Sequence, residues 1–326
     1  MFSVTVADLS QVAEARRRAS GAAAEAGFEE ERRGQVALAA TELATNLLKH
    51  AKGGQVLVNA EDRRLELFAL DHGPGIADVG ASMADGYSTA GTPGNGLGAV
   101  RRLANRFEIA SWPGRGTAVY ADIEKGKAAP DSDARPAAVA IAKPGEVASG
   151  DAWSWYADDA GMTIFVVDGL GHGTEAAVAA NAAIAQFEND RRDAPTAIIA
   201  AVHRAMRHTR GGAVAVARID WSGATVTYAG LGNIAGVVVG TAGAERRMVS
   251  LNGTAGHNAR KIQSFEYPCP EGVLVMHSDG VSTSWNLGTY PGLVNADPML
   301  IAGVLYRDYA RGRDDATVVV ARTRSR

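Results

Sequence analysis

Cysteine is nearly absent: Cys269 is the only one in 326 residues. One thiol cannot build a disulfide framework, so the fold must rest on apolar burial, and the chain suits a reducing compartment. Long apolar runs are missing too. None approaches the ~18 residues of a membrane span, and no leader-type segment precedes the first predicted strand. Nor is there a basic excess. Lys and Arg number 33 against 36 Asp and Glu, divided 13 against 16 over residues 1–124 and 20 against 20 beyond. That balance argues against a nucleic-acid or membrane-surface partner and leaves the cytoplasm as the expected location. No internal repeat links the two halves.

What is present divides into two. The length suits two domains, and 46% hydrophobic residues supply a core to each. Residues 125–136, Lys-Gly-Lys-Ala-Ala-Pro-Asp-Ser-Asp-Ala-Arg-Pro, are small, charged and proline-punctuated, the composition of a linker. They separate a predicted first domain, 1–124, from a second, 137–326.

In the second domain, residues 164–167 read as a buried strand closed by Asp168 and three glycines within five residues. Thr174-Glu-Ala-Ala then opens an alanine-rich helix to about Phe187. A carboxylate at a strand end, beside glycines that let backbone close in, suits a metal ion. A hairpin turn would use the same residues. Three more acidic turns weigh against coincidence: Asp151 after Ser149-Gly150, Asp279 after the apolar run 273–276, and Asp314-Asp315 before a predicted strand at 318–321. Four such turns can gather an all-oxygen set at one rim, the donor set hard divalent cations take. The remainder reads as a helix near 194–209 and strands near 214–219, 225–228 and 234–239, as in stacked antiparallel sheets.

The order Gly-Asp, Asp-Gly-x-Gly-His-Gly, Ser-Asp-Gly, Asp-Asp-x-Thr resembles the PP2C-type metal-dependent phosphatases over about 136–326. The resemblance is to the bacterial branch that includes sporulation stage II E and RsbX, and it implies an α-β-β-α sandwich. It also implies that Asp168 bridges two Mg²⁺ or Mn²⁺ ions and that the Gly169 carbonyl joins one. Asp151, Asp279 and Asp314 would complete the shells, Asp314 ahead of Asp315. A metal-held water would attack a phosphoserine or phosphothreonine. Leu170 stands where eukaryotic members carry a His, and His172 is either a substitute acid or a structural neighbour of the helix start. Their phosphate-gripping Arg has no assignable counterpart.

The first domain reads as a strand at 2–6, a helix capped by Asp8, a helix at 29–50, strands at 55–59 and 65–70, a short helix at 96–103, and strands at 107–111 and 117–123. Thr41-Glu-Leu-Ala-Thr-Asn46 sets Glu42 and Asn46 four apart on one helix face, which is also the pattern of a solvated face. Asp71-x-Gly-x-Gly-Ile76 follows a buried strand. Gly94-Asn-Gly-Leu-Gly98 opens a helix, where glycines bring N–H groups and a helix N-terminus to a polyphosphate.

In this order the three motifs resemble the Bergerat-fold (GHKL) ATPases, and most of all the small serine kinases of the RsbT and RsbW kind, across 1–124. The resemblance implies an α/β sandwich that binds ATP. Asn46 would hold Mg²⁺ on the phosphates and Asp71 would accept from the adenine amino group, with Thr117 nearby. Gly73 and Gly75 would approach the base, Gly94, Gly96 and Gly98 would line the phosphate lid, and Glu42 would be the general base for a substrate serine. The phospho-accepting His segment of histidine kinases is missing.

The combined expectation is an α/β (α+β) fusion of a serine kinase with a phosphoserine phosphatase. Its partners would be STAS-domain regulators, with a sigma factor in the same pathway. Two rivals use the same residues: a phosphatase whose first domain only senses nucleotide, and a non-enzymatic module that grips a sigma factor or STAS protein. Glu42 speaks against the sensor, because ATP binding needs no base. The complete acidic set speaks against the inert module.

Overall fold

The computed structural model describes residues 1–61, 63–82, 96–126 and 135–323. The chain forms two compact units, Met1–Asp131 and Ser132–Arg326. Among the described residues no helix is long and apolar enough to cross a membrane.

The first unit begins with β1 (Phe2–Val6) and α1 (Leu9–Glu25). Asp8 caps α1 through a capping box: its Oδ1 accepts from the N–H groups of Ser10 at 2.8 Å and Gln11 at 3.1 Å, while Gln11 Oε1 accepts from Asp8 N. Such a cap is worth ~1 kcal/mol. The helix α2 (Glu30–Ala51) ends where Lys52 turns left-handed, φ 60°, and Gly53 N donates to Leu47 O at 3.0 Å. Then come β2 (Gly54–Ala60), β3 (Arg64–Leu70), the single turn α3 (Val79–Ser82), α4 (Gly96–Leu103), β4 (Arg106–Ser111) and β5 (Thr117–Glu124).

The strands make one antiparallel sheet in the order β1-β2-β3-β5-β4. Alternate residues Val56 and Val58, Leu65, Leu67 and Ala69, and Val119, Ala121 and Ile123 share one face. That face buries Ala15, Ala19 and Ala23 of α1 and Val36, Ala40, Leu43 and Leu47 of α2. The alanines of α1 let it lie close to α2, so the face of α2 that is left over carries Glu42 and Asn46.

In the second unit β6 (Ala137–Ile141), β7 (Asp151–Asp158) and β8 (Gly161–Gly169) lead into α5 (Thr174–Asp190) and α6 (Pro195–Ala205). The helix predicted to Thr209 ends at Ala205 and tightens into a 3₁₀ turn at Met206–His208, where Thr209 Oγ1 donates to the Met206 carbonyl. The strands β9 (Gly212–Asp220), β10 (Thr225–Leu231), β11 (Ala235–Gly240), β12 (Glu245–Arg247), β13 (Ser264–Pro268) and β14 (Gly272–His277) follow. The unit closes with α7 (Pro298–Tyr309), a helix where the sequence pattern predicts strands, and β15 (Ala316–Arg322).

Two five-stranded antiparallel sheets result, β13-β10-β9-β8-β7 and β12-β11-β14-β15-β6. They pack face to face around Ile164, Val166, Ala217, Val226 and Tyr228 from one and Val238, Leu274, Met276 and Val319 from the other. The outer face of the first sheet carries α5 and α6, with Phe165 stacked on Phe187 at 5.1 Å between ring centres. Both rings are fully buried, so truncating either to Ala costs ~3–5 kcal/mol. The helix α7 covers β15 and β6 on the far side. This is the expected α-β-β-α sandwich.

Candidate functional site

Both units carry predicted site residues among those the structure describes. In the first, Glu42 and Asn46 sit one turn apart on α2, and the start of α4 abuts both. A Cβ placed on Gly96 would lie 3.1 Å from Glu42 Oε2 and 3.3 Å from Asn46 Oδ1. A side chain there would crowd the polar pair, so glycine leaves room for a ligand between α4 and α2. Gly98 is buried two residues further into the helix. Gly94 lies outside the described residues.

Asp71 is buried at the end of β3. Its Oδ1 accepts from Gly73 N at 2.7 Å and Thr117 N at 3.2 Å, and its own N–H donates to Thr117 O at 3.0 Å. One carboxylate oxygen therefore closes the turn and fastens it to β5. Gly75 adopts φ +73° with the Trp112 carbonyl against its α-carbon, a position closed to any side chain. Ser111 Oγ receives Ile76 N at 2.7 Å and meets Thr117 Oγ1 at 2.8 Å. Gly73 packs on Ala51 at the C-terminal end of α2, so the Asp71 turn and the Glu42–Asn46 face share the same half of that helix.

In the second unit the antiparallel register sets Asp151, the first residue of β7, directly opposite Asp168 near the end of β8. Asp279 follows β14, and Asp314 and Asp315 precede β15. Burial pushes Asp168 up to about 9, and the charges of Asp151, Asp279, Asp314 and Asp315 push the same way. Burial also raises Asp151 to about 7, against the lowering effect of the Ser278 hydroxyl. Asp279 is raised by burial and by Asp314, while Arg311 opposes. The five carboxylates thus repel one another across one rim.

The supports of this rim are hydrogen bonds that the motifs alone do not reveal. Ser278 Oγ donates to Asp151 Oδ2 at 2.6 Å and accepts from Thr317 N at 3.1 Å. Asn233 Nδ2 donates to Asp279 Oδ2 at 2.7 Å. Asp315 takes Lys143 N and Gly150 N at 2.7 Å each, one on either oxygen. Those bonds occupy Asp315 as a tie for the Lys143–Gly150 loop and leave Asp314 as the freer carboxylate of the pair. Beneath the turn, Trp285 Nε1 donates to His277 Nε2 at 3.0 Å, and His277 Nδ1 bonds the Ser278 carbonyl at 2.8 Å. Because that carbonyl only accepts, the His277 proton sits on Nδ1, and burial keeps the ring neutral by lowering its pKa.

The residues fit a divalent cation by their chemistry. Asp151 Oδ1 is buried with no hydrogen-bond partner among the described residues. Crowded carboxylates of raised pKa are stabilised in their charged form by a hard cation. As the side chains stand, no three acidic, His or Cys groups among the described residues converge tightly enough to grip one ion. Strand ends nevertheless bring the aspartates to a common rim. His172 is exposed and its Nδ1 meets Glu146 Oε1 at 2.6 Å, while Leu170 projects into solvent.

The two folds define a histidine-kinase-like ATPase unit followed by a PP2C-type phosphatase unit. The chain belongs to the Stage II sporulation protein E (SpoIIE) family, whose model matches residues 158–324, and residues 5–123 match the histidine kinase-like ATPase domain. It is 36% identical over 111 residues to the serine/threonine-protein kinase RsbT of Bacillus subtilis (strain 168), covering 33% of this chain and 84% of the relative. It is 25% identical over 141 residues to the phosphoserine phosphatase RsbX of the same organism, 43% of this chain and 71% of the relative. A solved structure from work on the bacterial stressosome, a modular system adapted to control secondary messenger signaling, matches with TM-score 0.53 and 29% identity over 57% of this chain and 98% of its own. RsbX in complex with magnesium matches in fold at TM-score 0.50 and 21% identity, over 57% and 92%.

Proposed function

We propose that the chain is a bifunctional partner-switching regulator of the cytoplasm. An ATP-dependent serine kinase, 1–124, and a Mg²⁺- or Mn²⁺-dependent phosphoserine phosphatase, 137–326, are joined by the linker 125–136. Both act on STAS-domain proteins of the anti-anti-sigma or stressosome kind, in a pathway that ends on a sigma factor. The observation that carries this reading is the rim of opposed aspartates in a SpoIIE-family fold. The pairing is supported by likeness, in one chain, to a protein named as a serine/threonine kinase and to one named as a phosphoserine phosphatase.

In the second unit Asp168, Asp151, Asp279, Asp314 and the Gly169 carbonyl would hold the ions. Bound divalent metal supplies a water activated near neutral pH and offsets the phosphate charge. Ser278 keeps one oxygen of Asp151 fixed, Asn233 orients Asp279, and Asp315 holds the loop beneath them. In the first unit Asp71 would receive the adenine amino group, with Thr117 beside it. Asn46 would meet the Mg²⁺ of the nucleotide, and glycines 73, 75, 94, 96 and 98 would admit base and phosphates. Glu42, beside Asn46, would take the proton of the substrate serine.

The test incubates the full chain with STAS proteins of its own genome and follows phosphoserine by mass spectrometry. Phosphoserine should appear with Mg-ATP and disappear when ATP is removed and Mn²⁺ added. Absence of both changes across all such proteins would sink the reading.

A further inference from the structure

Among the acid-free segments of the second unit, residues 194–218 and residues 248–264 are the ones rich in Arg, Lys and His. They meet in space. Gly212 N donates to Ala255 O at 3.1 Å and Ala255 N to Gly212 O at 2.8 Å. His257 Nε2 donates to the Arg210 carbonyl at 2.9 Å, and Gly256 N donates to His203 Nδ1 at 3.0 Å. Their cationic side chains Arg204, Arg207, Arg210, Arg260 and Lys261, with His257, are all exposed. His203, among them, is held below the usual imidazole pKa by burial and then by the charges of Arg207, Arg204 and His257. A chain of net charge −3 thus concentrates positive charge on one strip.

The strip runs up to the metal rim. Across β8 and β9, Asp168 lies opposite Ala213 and Gly169 opposite Gly212, and Leu170 N donates to Gly211 O at 2.8 Å. One step further, a Cβ placed on Gly171 would lie 3.1 Å from Arg210 Nη1. The Arg210 guanidinium therefore rests on the turn that carries Asp168, and among the described residues it makes no hydrogen bond or ion pair. A guanidinium on the turn that follows Asp168 can offer paired donors to the oxygens of a phosphate ester.

We propose that this strip is the surface on which the second unit receives an acidic phosphoprotein segment, with Arg210 binding the phosphate itself; the assignment rests on the phosphatase reading above. The overall negative balance and the position beside the aspartates favour a phosphorylated acidic peptide over nucleic acid.

The experiment uses the full chain with Mg²⁺ and two phosphoserine peptides, one flanked by Glu and Asp, the other by Lys. The acidic peptide should show kcat/KM ~tenfold higher at low salt, a preference that fades as salt rises, as expected for a few screened charge pairs. Arg204→Glu combined with Lys261→Glu should erase the preference. Arg210→Ala should weaken competitive inhibition by inorganic phosphate ~tenfold, with Arg210→Lys recovering part of it as a point charge without the fork. Binding of the unphosphorylated acidic peptide, read by fluorescence anisotropy, reports on the strip without chemistry. If neither peptide is hydrolysed yet this binding persists and needs Arg204 and Lys261, the phosphatase reading falls and the surface stands. Equal kcat/KM for the two peptides, or tighter binding of single-stranded DNA of equal charge, overturns the proposal.

Discussion

Ser278 Oγ donates a 2.6 Å hydrogen bond to Asp151 Oδ2 across 127 residues of chain. The same oxygen accepts from Thr317 N, so one small hydroxyl joins β7, the end of β14 and β15. The other Asp151 oxygen has no partner among the described residues. Ser278→Ala is therefore expected to leave a buried carboxylate and a buried N–H unsatisfied, costing ~1–3 kcal/mol. As loss of a group that orients a metal ligand, it should also weaken Mg²⁺ binding by ~10–100-fold. Thermal unfolding and magnesium titration calorimetry read the two effects separately. Unchanged magnesium affinity would remove Asp151 from the ligand set.

The aspartate rim predicts an unusual pH dependence. Asp168 at about 9 and Asp151 at about 7 are raised above the ordinary Asp value of 3.8. Without metal, the folded state binds more protons than the unfolded one between those limits. The stability these two groups contribute is complete below about pH 4 and is lost as pH rises through 7 and then 9. In EDTA the Tm should fall between pH 5 and 9. Magnesium should reduce that fall, and Asp168→Asn should flatten its upper part. A Tm that climbs over this interval in EDTA would mean the carboxylates are not crowded.

Glu42→Gln separates a kinase from a nucleotide sensor. The amide is nearly isosteric and keeps the contact with Gly96, so calorimetric Mg-ATP affinity should stay close to wild type. Phosphoserine formation should drop by ~10²–10⁴-fold, the usual contribution of a general base. Phosphorylation that continues undiminished would assign the proton transfer elsewhere.

Asp71 can be probed by two substitutions with different outcomes. In Asp71→Asn the amide oxygen can still accept from Gly73 N and Thr117 N, so stability should shift by no more than ~1 kcal/mol. Its replaced oxygen turns a donor toward the base, and ATP affinity should fall ~tenfold or more with adenine-over-guanine discrimination lost. Asp71→Ala strands both N–H groups and should lower the Tm as well. Equal loss of stability in the two variants would show that Asp71 serves the fold alone.

Local signals explain why much of both sites is legible in the sequence. The β-branched run before Asp168, the glycines after it and the alanine helix beyond each lie within a few residues of one another. The same holds for α2, whose apolar spacing leaves Glu42 and Asn46 on the opposite side. By contrast α7 gives no amphipathic period, because all eight residues from Met299 to Tyr306 are buried. Its only local marks are Pro298 in the first turn and Asp297, whose Oδ1 caps Met299 N at 2.7 Å. The ties made by Ser278, Asn233 and Asp315 link residues 39 to 172 positions apart, and no spacing rule reaches that far. Arg210 escapes for the same reason, since its place beside Gly171 follows from the β8–β9 register.

The pairing of β6 with β15, from Ala316 opposite Ile141 to Val320 opposite Ala137, sets a timetable. Asp315 must reach Gly150, made 165 residues earlier, an interval of roughly ten to thirty seconds on a ribosome adding ~5–20 residues per second. During that time the nascent chain holds Asp151 and Asp168 but lacks Asp314, and β6 has no neighbour to pair with. The first unit is complete long before. A product that stops short of β15 would expose the edges of β14 and β6 to proteases and chaperones. Premature termination would then discard the phosphatase rather than release an uncontrolled one.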